Sequence, residues 1–246
     1  DPGSLVEIAR QLPQPETVEL KAAADFRFIG KQNARLDARS KSTGTAAFGI
    51  DAQYPGALSA VLVRCPHFGG SLKGFNASAA ESSPGVVQVL EVDGAIAVLA
   101  DNYWHARQAA NKIEVEWDKG PLAGVSSESL RAQRHELAKT EEGKVVEELG
   151  DEAQATGERF EAMYDVPYLA HGTMEPMNAL AVPTQNGMEI WSGMQGVQLA
   201  IDAVASATGL EKSQIHVHNH FLGGGFGRRI QNDYVVEAAR IAQLSG

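Results

Sequence analysis

The feature that most restricts how this chain can fold is the run Gly223-Gly224-Gly225-Phe226-Gly227. It follows the apolar stretch Ile215–Phe221 and precedes a helical pattern from Asp233. Three consecutive glycines open backbone dihedrals that are closed to other residues. They also let main-chain N–H groups approach a ligand with no Cβ in the way. The segment reads as a strand–loop–helix joint, and a helix N-terminus about six residues further on favours an anion nearby. The nucleotide-binding forms of such a joint fail on spacing. A G-x-G-x-x-G from Gly223 needs Gly or Ala where Arg228 stands, and one from Gly225 needs it where Ile230 stands. A P-loop needs Gly-Lys where the chain has Arg228-Arg229. What remains is a joint that receives an anionic or metal-oxo group, with Arg228 and Arg229 at its mouth, or a tight structural turn.

The surroundings are mixed. Residues 1–34 form a connecting segment in which Pro13 and Pro15 break any long element. Between 35 and 118, Ala46–Ile50 and Leu58–Arg64 read as strands and Asn76–Glu81 as a helical turn. Val86–Val92 and Ala95–Ala100 flank Asp93-Gly94, the strongest short-range hairpin signal because glycine accepts the positive φ of a type I′ turn. Asp101 is placed to cap a helix over Tyr103–Asn111, and Ile113–Trp117 alternates as a half-buried strand. Residues 119–157 read as a linker: a helix capped by Ser127 runs to about Lys139, and a solvated acidic stretch from Glu141 to Glu152 follows. Residues 158–246 hold strands at Met188–Trp191 and Ile215–Phe221, a helix over Val197–Thr208 stopped by Gly209, and a helix over Asp233–Leu244. The class is α+β.

Composition excludes several functions. With 43% hydrophobic and 21% charged residues the chain has the makings of a packed core rather than a disordered segment. A formal net charge of −10 with no Lys/Arg block argues against nucleic acid. No apolar run approaches the ~20 residues that span a bilayer. Cys65, the one cysteine, can form no internal disulfide or multi-thiolate site and reads as a small apolar filler. The chain opens at Asp1-Pro2-Gly3-Ser4 without Met and stops just after a helical pattern, which is expected of a piece of a longer protein.

Two other groups could carry chemistry. His216, His218 and His220 share one face of a strand and could serve a zinc hydrolase. Same-face neighbours lie ~7 Å apart, however, too far for all three to reach the ~2.1 Å Zn–N bond. The segment His171-Gly172-Thr173-Met174-Glu175-Pro176-Met177-Asn178 is extended by Pro176 and could form a pocket wall. A non-catalytic binding module is a third reading.

Taken in order, the segments resemble one family. Arg35-Leu36-Asp37, Thr43–Phe48, Pro84–Val87, Val98–Trp104 and Val115-Glu116-Trp117 are similar to the hammerhead α/β domain of the xanthine dehydrogenase and aldehyde oxidase superfamily of molybdenum hydroxylases. Met174–Asn178 and the Gly223–Arg229 loop resemble the bacterial isoquinoline 1-oxidoreductase branch, in its large subunit. The resemblance implies a hammerhead domain at 35–118 and the first part of a molybdopterin-binding domain at 158–246. It implies that Gln195, Gly225, Phe226, Gly227 and Arg228 bind cofactor, that Glu175 and Ile230 line the substrate pocket, and that no side chain here ligates the metal. Ile230 stands where purine-oxidising members carry a glutamate, so purines are disfavoured. The cofactor implied is molybdenum–molybdopterin cytosine dinucleotide, and the partner is a small [2Fe–2S] subunit. The reaction implied is hydroxylation of N-heterocycles, or oxidation of aldehydes, with water as oxygen source. Its base lies beyond Gly246, so the piece alone is expected to be inactive and to hold little or no cofactor. Branch members often carry a twin-arginine export signal, which favours a periplasmic parent over a cytoplasmic one.

Overall fold

The computed structural model describes residues 2–151, 154 and 156–246; Asp1, Glu152, Ala153 and Ala155, which fall in the connecting segment and the acidic stretch read above, lie outside the described residues. The Cα trace separates into two units, Asp1–Ala46 and Ala47–Gly246. The first carries the short helices α1 (Val6–Gln11) and α2 (Ala38–Ser42). Asp37, just ahead of α2, pairs with Lys41 at 2.5 Å and with Arg35 at 3.3 Å. The candidate site described below lies in the second unit.

That unit begins with β1 (Ser59–Val63), β2 (Ser71–Asn76), α3 (Ser78–Glu81), β3 (Val86–Val92), β4 (Ala95–Ala100), α4 (Tyr103–Ala110) and β5 (Glu114–Asp118). Strands β1, β4 and β3 form an antiparallel sheet in that order, and β2 pairs with β5. Asp93 and Gly94 hold φ of 48° and 80°, the two positive values that the tight hairpin requires. The central strand β4 is apolar throughout because both of its faces are covered. Val98 and Ala100 meet Ala106 and Ala109 of α4, while Ala97 and Leu99 turn to the opposite side.

After β5 comes α5 (Ser127–Thr140), then β6 (Leu180–Thr184), β7 (Gly187–Ser192), α6 (Val197–Thr208), β8 (Ile215–Asn219) and α7 (Asp233–Ser245). The sheet order is β6-β7-β8: β6 and β7 form a hairpin, and β7 and β8 run parallel with α6 as the crossover. Met188, Ile190, Ala200, Val204, Ile215, Tyr234, Val235 and Ala239 form its core. Helix α7 serves this sheet and the β1-β4-β3 sheet. Its Val235 and Ala239 enter this core, and its Ile241 closes the far face of β4 with Val92, Ala97 and Leu99. Arg240 grips the hairpin tip at Asp93 with two 3.0 Å hydrogen bonds, and Glu237 pairs with Arg64 beyond the end of β1.

Several expectations shift. Ala46–Ile50 is not a strand: only Phe48 bridges to Phe221, and Gly49–Asp51 is a 3-10 turn closed by the Asp51 carboxylate accepting from Phe48 N at 2.9 Å. The α4 cap is Asn102, which accepts from His105 N at 2.9 Å, while the Asp101 carboxylate takes the His105 ring at 2.6 Å. Likewise Ser126, not Ser127, caps α5. Strands β2 and β6 had no clear signal: Lys73 and Gly74 interrupt the first, and Pro183 sits in the second, tolerable there because β6 is a sheet edge. Asn102→Ala is expected to lower stability by about 1 kcal/mol, the usual cost of a lost N-cap, read as a lower urea midpoint with unchanged m.

Candidate functional site

Four backbone segments converge where β7 and β8 end. Gly49-Ile50 leaves the 3-10 turn, Thr173–Asn178 approaches in extended form, Gly193–Gln195 follows β7, and Leu222–Ile230 follows β8. Met177 and Met194 pack on the core below, and polar groups hold the rest of these segments together. The organiser is Glu175, 7% exposed. Its Oε1 accepts from Ile50 N and Asn178 Nδ2, both at 2.9 Å. Its Oε2 accepts from Gly223 N at 2.7 Å and Arg229 Nη2 at 2.9 Å. Burial pushes the Glu175 carboxyl up, but donation from Gly223, Asn178 and Ile50 and the Arg229 charge outweigh it, so the group sits below the ordinary carboxylate range.

Arg229 is the counterpart, fully buried. Its Nε donates to Gly224 O at 2.8 Å, Nη1 to Gly193 O at 3.1 Å and Nη2 to Glu175 O at 2.8 Å. It was expected at the mouth of the loop beside Arg228, and that expectation is corrected. In the 3-10 turn Arg228–Ile230 the two arginines point different ways. Arg228 reaches Asp233 in the first turn of α7 through both guanidinium nitrogens, at 2.8 and 2.7 Å. That pairing holds the Asp233 carboxyl low despite burial.

The other residues singled out from sequence lie around the same turn. Gly225 is buried, and a Cβ built on it would sit 2.8 Å from Gln195 Oε1. Gly223 is equally crowded, since a Cβ there would collide with Cβ of Glu175. Phe226 takes φ of 51°, a left-handed value uncommon for an aromatic residue, and leaves its ring 73% exposed. Gly227 follows with φ of 86°, and Ile230 is half exposed just beyond. Gln195 is exposed; its main-chain N donates to Arg229 O at 3.2 Å, and among the described residues its side-chain amide has no hydrogen-bond partner. Gln195, Phe226 and Ile230 are thus exposed around the turn, with Gly225 buried against the Gln195 side chain. Glu175 is not: every oxygen it has is spent on the scaffold behind the turn. His171 and Met174 are exposed, so the segment offers solvent its other residues and not its carboxylate.

A large prosthetic group fits this arrangement better than a bare metal ion does. Side chains at 223 or 225 would strike Glu175 or Gln195, so the backbone of the turn lies close against both; the Gln195 carboxamide is unspent beside it, and at its tip the Phe226 main chain has no hydrogen-bond partner among the described residues. No group of three His, Cys, Asp or Glu placed to hold a metal ion occurs among the described residues. The histidine strand is partnered otherwise. His218 stacks on Trp191 with ring centroids 4.6 Å apart, and its Nε2 lies 2.5 Å from Glu189 Oε2, a carboxylate neighbour that the sequence did not reveal. Sequence reasoning also missed Arg229 as a buried group. An Arg-Arg pair in a loop reads as surface, and the Glu175 that neutralises it lies 54 positions away.

Residues 130–243 match the molybdopterin cofactor-binding domain family. The chain is 31% identical, over 92% of its length, to the membrane-bound aldehyde dehydrogenase (pyrroloquinoline-quinone) of Gluconacetobacter polyoxogenes. It is 28% identical over 95% of its length to isoquinoline 1-oxidoreductase subunit beta of Brevundimonas diminuta. It covers 31% and 32% of those two proteins, about a third of the length of these curated relatives. Among solved structures, quinoline 2-oxidoreductase from Pseudomonas putida 86 superposes with a TM-score of 0.61 at 19% identity, covering 81% of this chain and 31% of that one. Aldehyde oxidoreductase from Desulfovibrio gigas superposes with a TM-score of 0.59 at 22% identity, covering 97% and 32%. These matches fit an oxidoreductase and leave no support for the zinc hydrolase reading.

Proposed function

We infer that this chain, a segment of molybdenum hydroxylase large-subunit type, contributes one wall of the cofactor site in an enzyme that hydroxylates N-heterocycles or oxidises aldehydes. Within it, residues 35–118 serve as the hammerhead domain and 158–246 as the first part of the molybdopterin-binding domain. The observation that carries the reading is the juxtaposition of the bare Gly224–Gly227 turn with the unpartnered Gln195 amide. When bound, the molybdenum cofactor would supply the two-electron redox chemistry and the activated water oxygen.

This chain's own residues bind, orient and shape. Gln195 offers a carboxamide as donor or acceptor to an oxygen at the edge of the group. Gly225, having no Cβ, leaves room for the Gln195 amide beside the cofactor, and the main chain of Phe226 and Gly227 faces the cofactor. Arg228, held by Asp233, fixes the start of α7 beside the loop. Ile230 presents an aliphatic surface to substrate, which suits a flat heteroaromatic or aldehyde and offers no acceptor to a purine N–H. The cytosine dinucleotide form of the cofactor and a [2Fe–2S] partner subunit complete the reading, following the isoquinoline branch resemblance.

Elemental analysis of the full-length protein tests it. About one molybdenum per polypeptide is expected, together with oxidation of quinoline-type heterocycles or aromatic aldehydes. An active preparation that lacks molybdenum and contains pyrroloquinoline quinone instead, as the name of the Gluconacetobacter relative indicates for that protein, would refute it.

A further inference from the structure

We propose that Glu175 and Arg229 are positioning residues: a buried ionic lock that sets where the Phe226 turn and Gln195 stand relative to each other. The inference rests on the cofactor-site reading above and assigns Glu175 a role apart from substrate contact.

The argument starts from what a glycine run lacks. Residues 223–225 have no side chains, so packing cannot fix them, and each glycine retains more conformational freedom to lose than any other residue. Their carbonyls and amides must be held by outside partners or remain mobile. Gly225 O accepts from Arg228 N at 2.8 Å within the loop, and the lock supplies the partners of Gly223 and Gly224 from both of its members. Glu175 Oε2 takes Gly223 N, while Glu175 N donates back to Gly223 O at 3.0 Å. Arg229 Nε takes Gly224 O, the last carbonyl before Gly225 and Phe226. The same guanidinium takes Gly193 O, two residues before Gln195, and Arg229 O accepts from Gln195 N. Tyr234 OH adds a second donor to Gly193 O at 3.1 Å. One planar group therefore binds both sides of the cradle, and four of its five N–H donors are used, on Gly224 O, Gly193 O, Glu175 O and Glu175 Oε2.

Geometry makes this a task for arginine. A guanidinium holds its donors at fixed angles in one plane, whereas a lysine ammonium is a point charge on a flexible stem. Charge alone does not explain the choice, because a buried pair is often no more stabilising than apolar residues of similar volume. What the pair adds over apolar packing is direction: each donor is aimed at one named carbonyl, and each carboxylate oxygen at named amides.

The test separates placement from stability. In the full-length protein, Glu175→Met/Arg229→Met removes both charges together, so neither is left buried and unpaired. Hydrogen exchange is followed at Gly223–Gly227, at Gln195 and, as an internal reference, at the β4 amides. The double variant is expected to stay folded with β4 exchange unchanged, while exchange at Gly223 and Gln195 quickens about tenfold or more. Its kcat is expected to fall about 100-fold with KM shifted less than about threefold, the pattern of misplaced reacting groups. Arg229→Lys, which keeps the charge without the fork, is expected to show the same faster loop exchange. Wild-type loop exchange in either variant, or equal acceleration at β4 and the loop, would overturn the proposal. Faster loop exchange in a protein that contains no molybdenum would uphold the lock and sink the cofactor assignment, so the two failures are distinguishable.

Discussion

Glu175→Ala is expected to destabilise the folded chain by about 3–5 kcal/mol, the cost of breaking a buried pair and stranding one charge. The loss exceeds that of an ordinary surface substitution because Arg229 is fully buried and, among the described residues, pairs with no other carboxylate. In addition, Ile50 N, Gly223 N and Asn178 Nδ2 each lose an acceptor, and unsatisfied buried donors carry their own penalty. Urea unfolding followed by tryptophan fluorescence reads the change as a lower midpoint. The same carboxylate makes stability pH-dependent with a definite sign. Its folded pKa lies below the ordinary value, about 4.3 for an unfolded glutamate. Its contribution is complete above that value and is lost as pH falls through the depressed folded pKa. Glu175→Gln should therefore flatten the acid limb of the stability curve. An unchanged acid limb would show that Glu175 is not the group responsible.

Gly225→Ala is expected to do the reverse, leaving stability within about 1 kcal/mol of wild type and lowering kcat of the full-length enzyme about 100-fold. The new methyl group would meet Gln195 Oε1 at 2.8 Å. That atom is the end of a flexible, exposed side chain, so the scaffold need not move; the amide does. A misplacement of the order of 1 Å in a positioning group is enough for the stated loss of rate. Steady-state kinetics alongside thermal unfolding tests this, and equal losses of activity and stability would mean that the turn, and not the glutamine, had been disturbed.

The fold and the site differ in how legible they are from sequence. The hairpin at Asp93-Gly94 and the end of α6 at Gly209 are set by single residues with positive φ, at 48°, 80° and 77°, and such local requirements are written locally. Helix α6 and the strands β3 and β4 likewise declare themselves by periodicity. Strand β2 does not, because it owes its existence to a partner 38 or more positions away, β5, and its own residues include Lys73 and Gly74. The cap of α4 was misjudged by one position for a physical reason. Asp101 and Asn102 are both good caps, and the presence of His105 decides which of them goes to the ring and which to the main chain.

At the candidate site, the glycine turn and the alignment of Gln195 with it were legible. The first announces itself by composition and the second by family likeness. The burial of Glu175 and Arg229 was not. Charged residues are rarely interior unless paired, and pairing across a sequence gap of 54 leaves no mark in spacing or hydropathy. Such a pair becomes visible only when the segment ahead of β6 is laid beside the loop that follows β8.

Helix α7 carries a consequence for how this architecture can be divided. The turn that ends in Gly227 feeds directly into a helix whose Val235 and Ala239 belong to one core and whose Ile241 belongs to the other. Its Arg240 and Glu237 meanwhile hold Asp93 and Arg64 of the first sheet. The two sheets are thus neighbours sharing a single beam. Removing the hairpin sheet would expose an apolar stripe and two ionic handles on the very helix that anchors the glycine turn, so the β1-β4-β3 sheet doubles as a buttress for that turn.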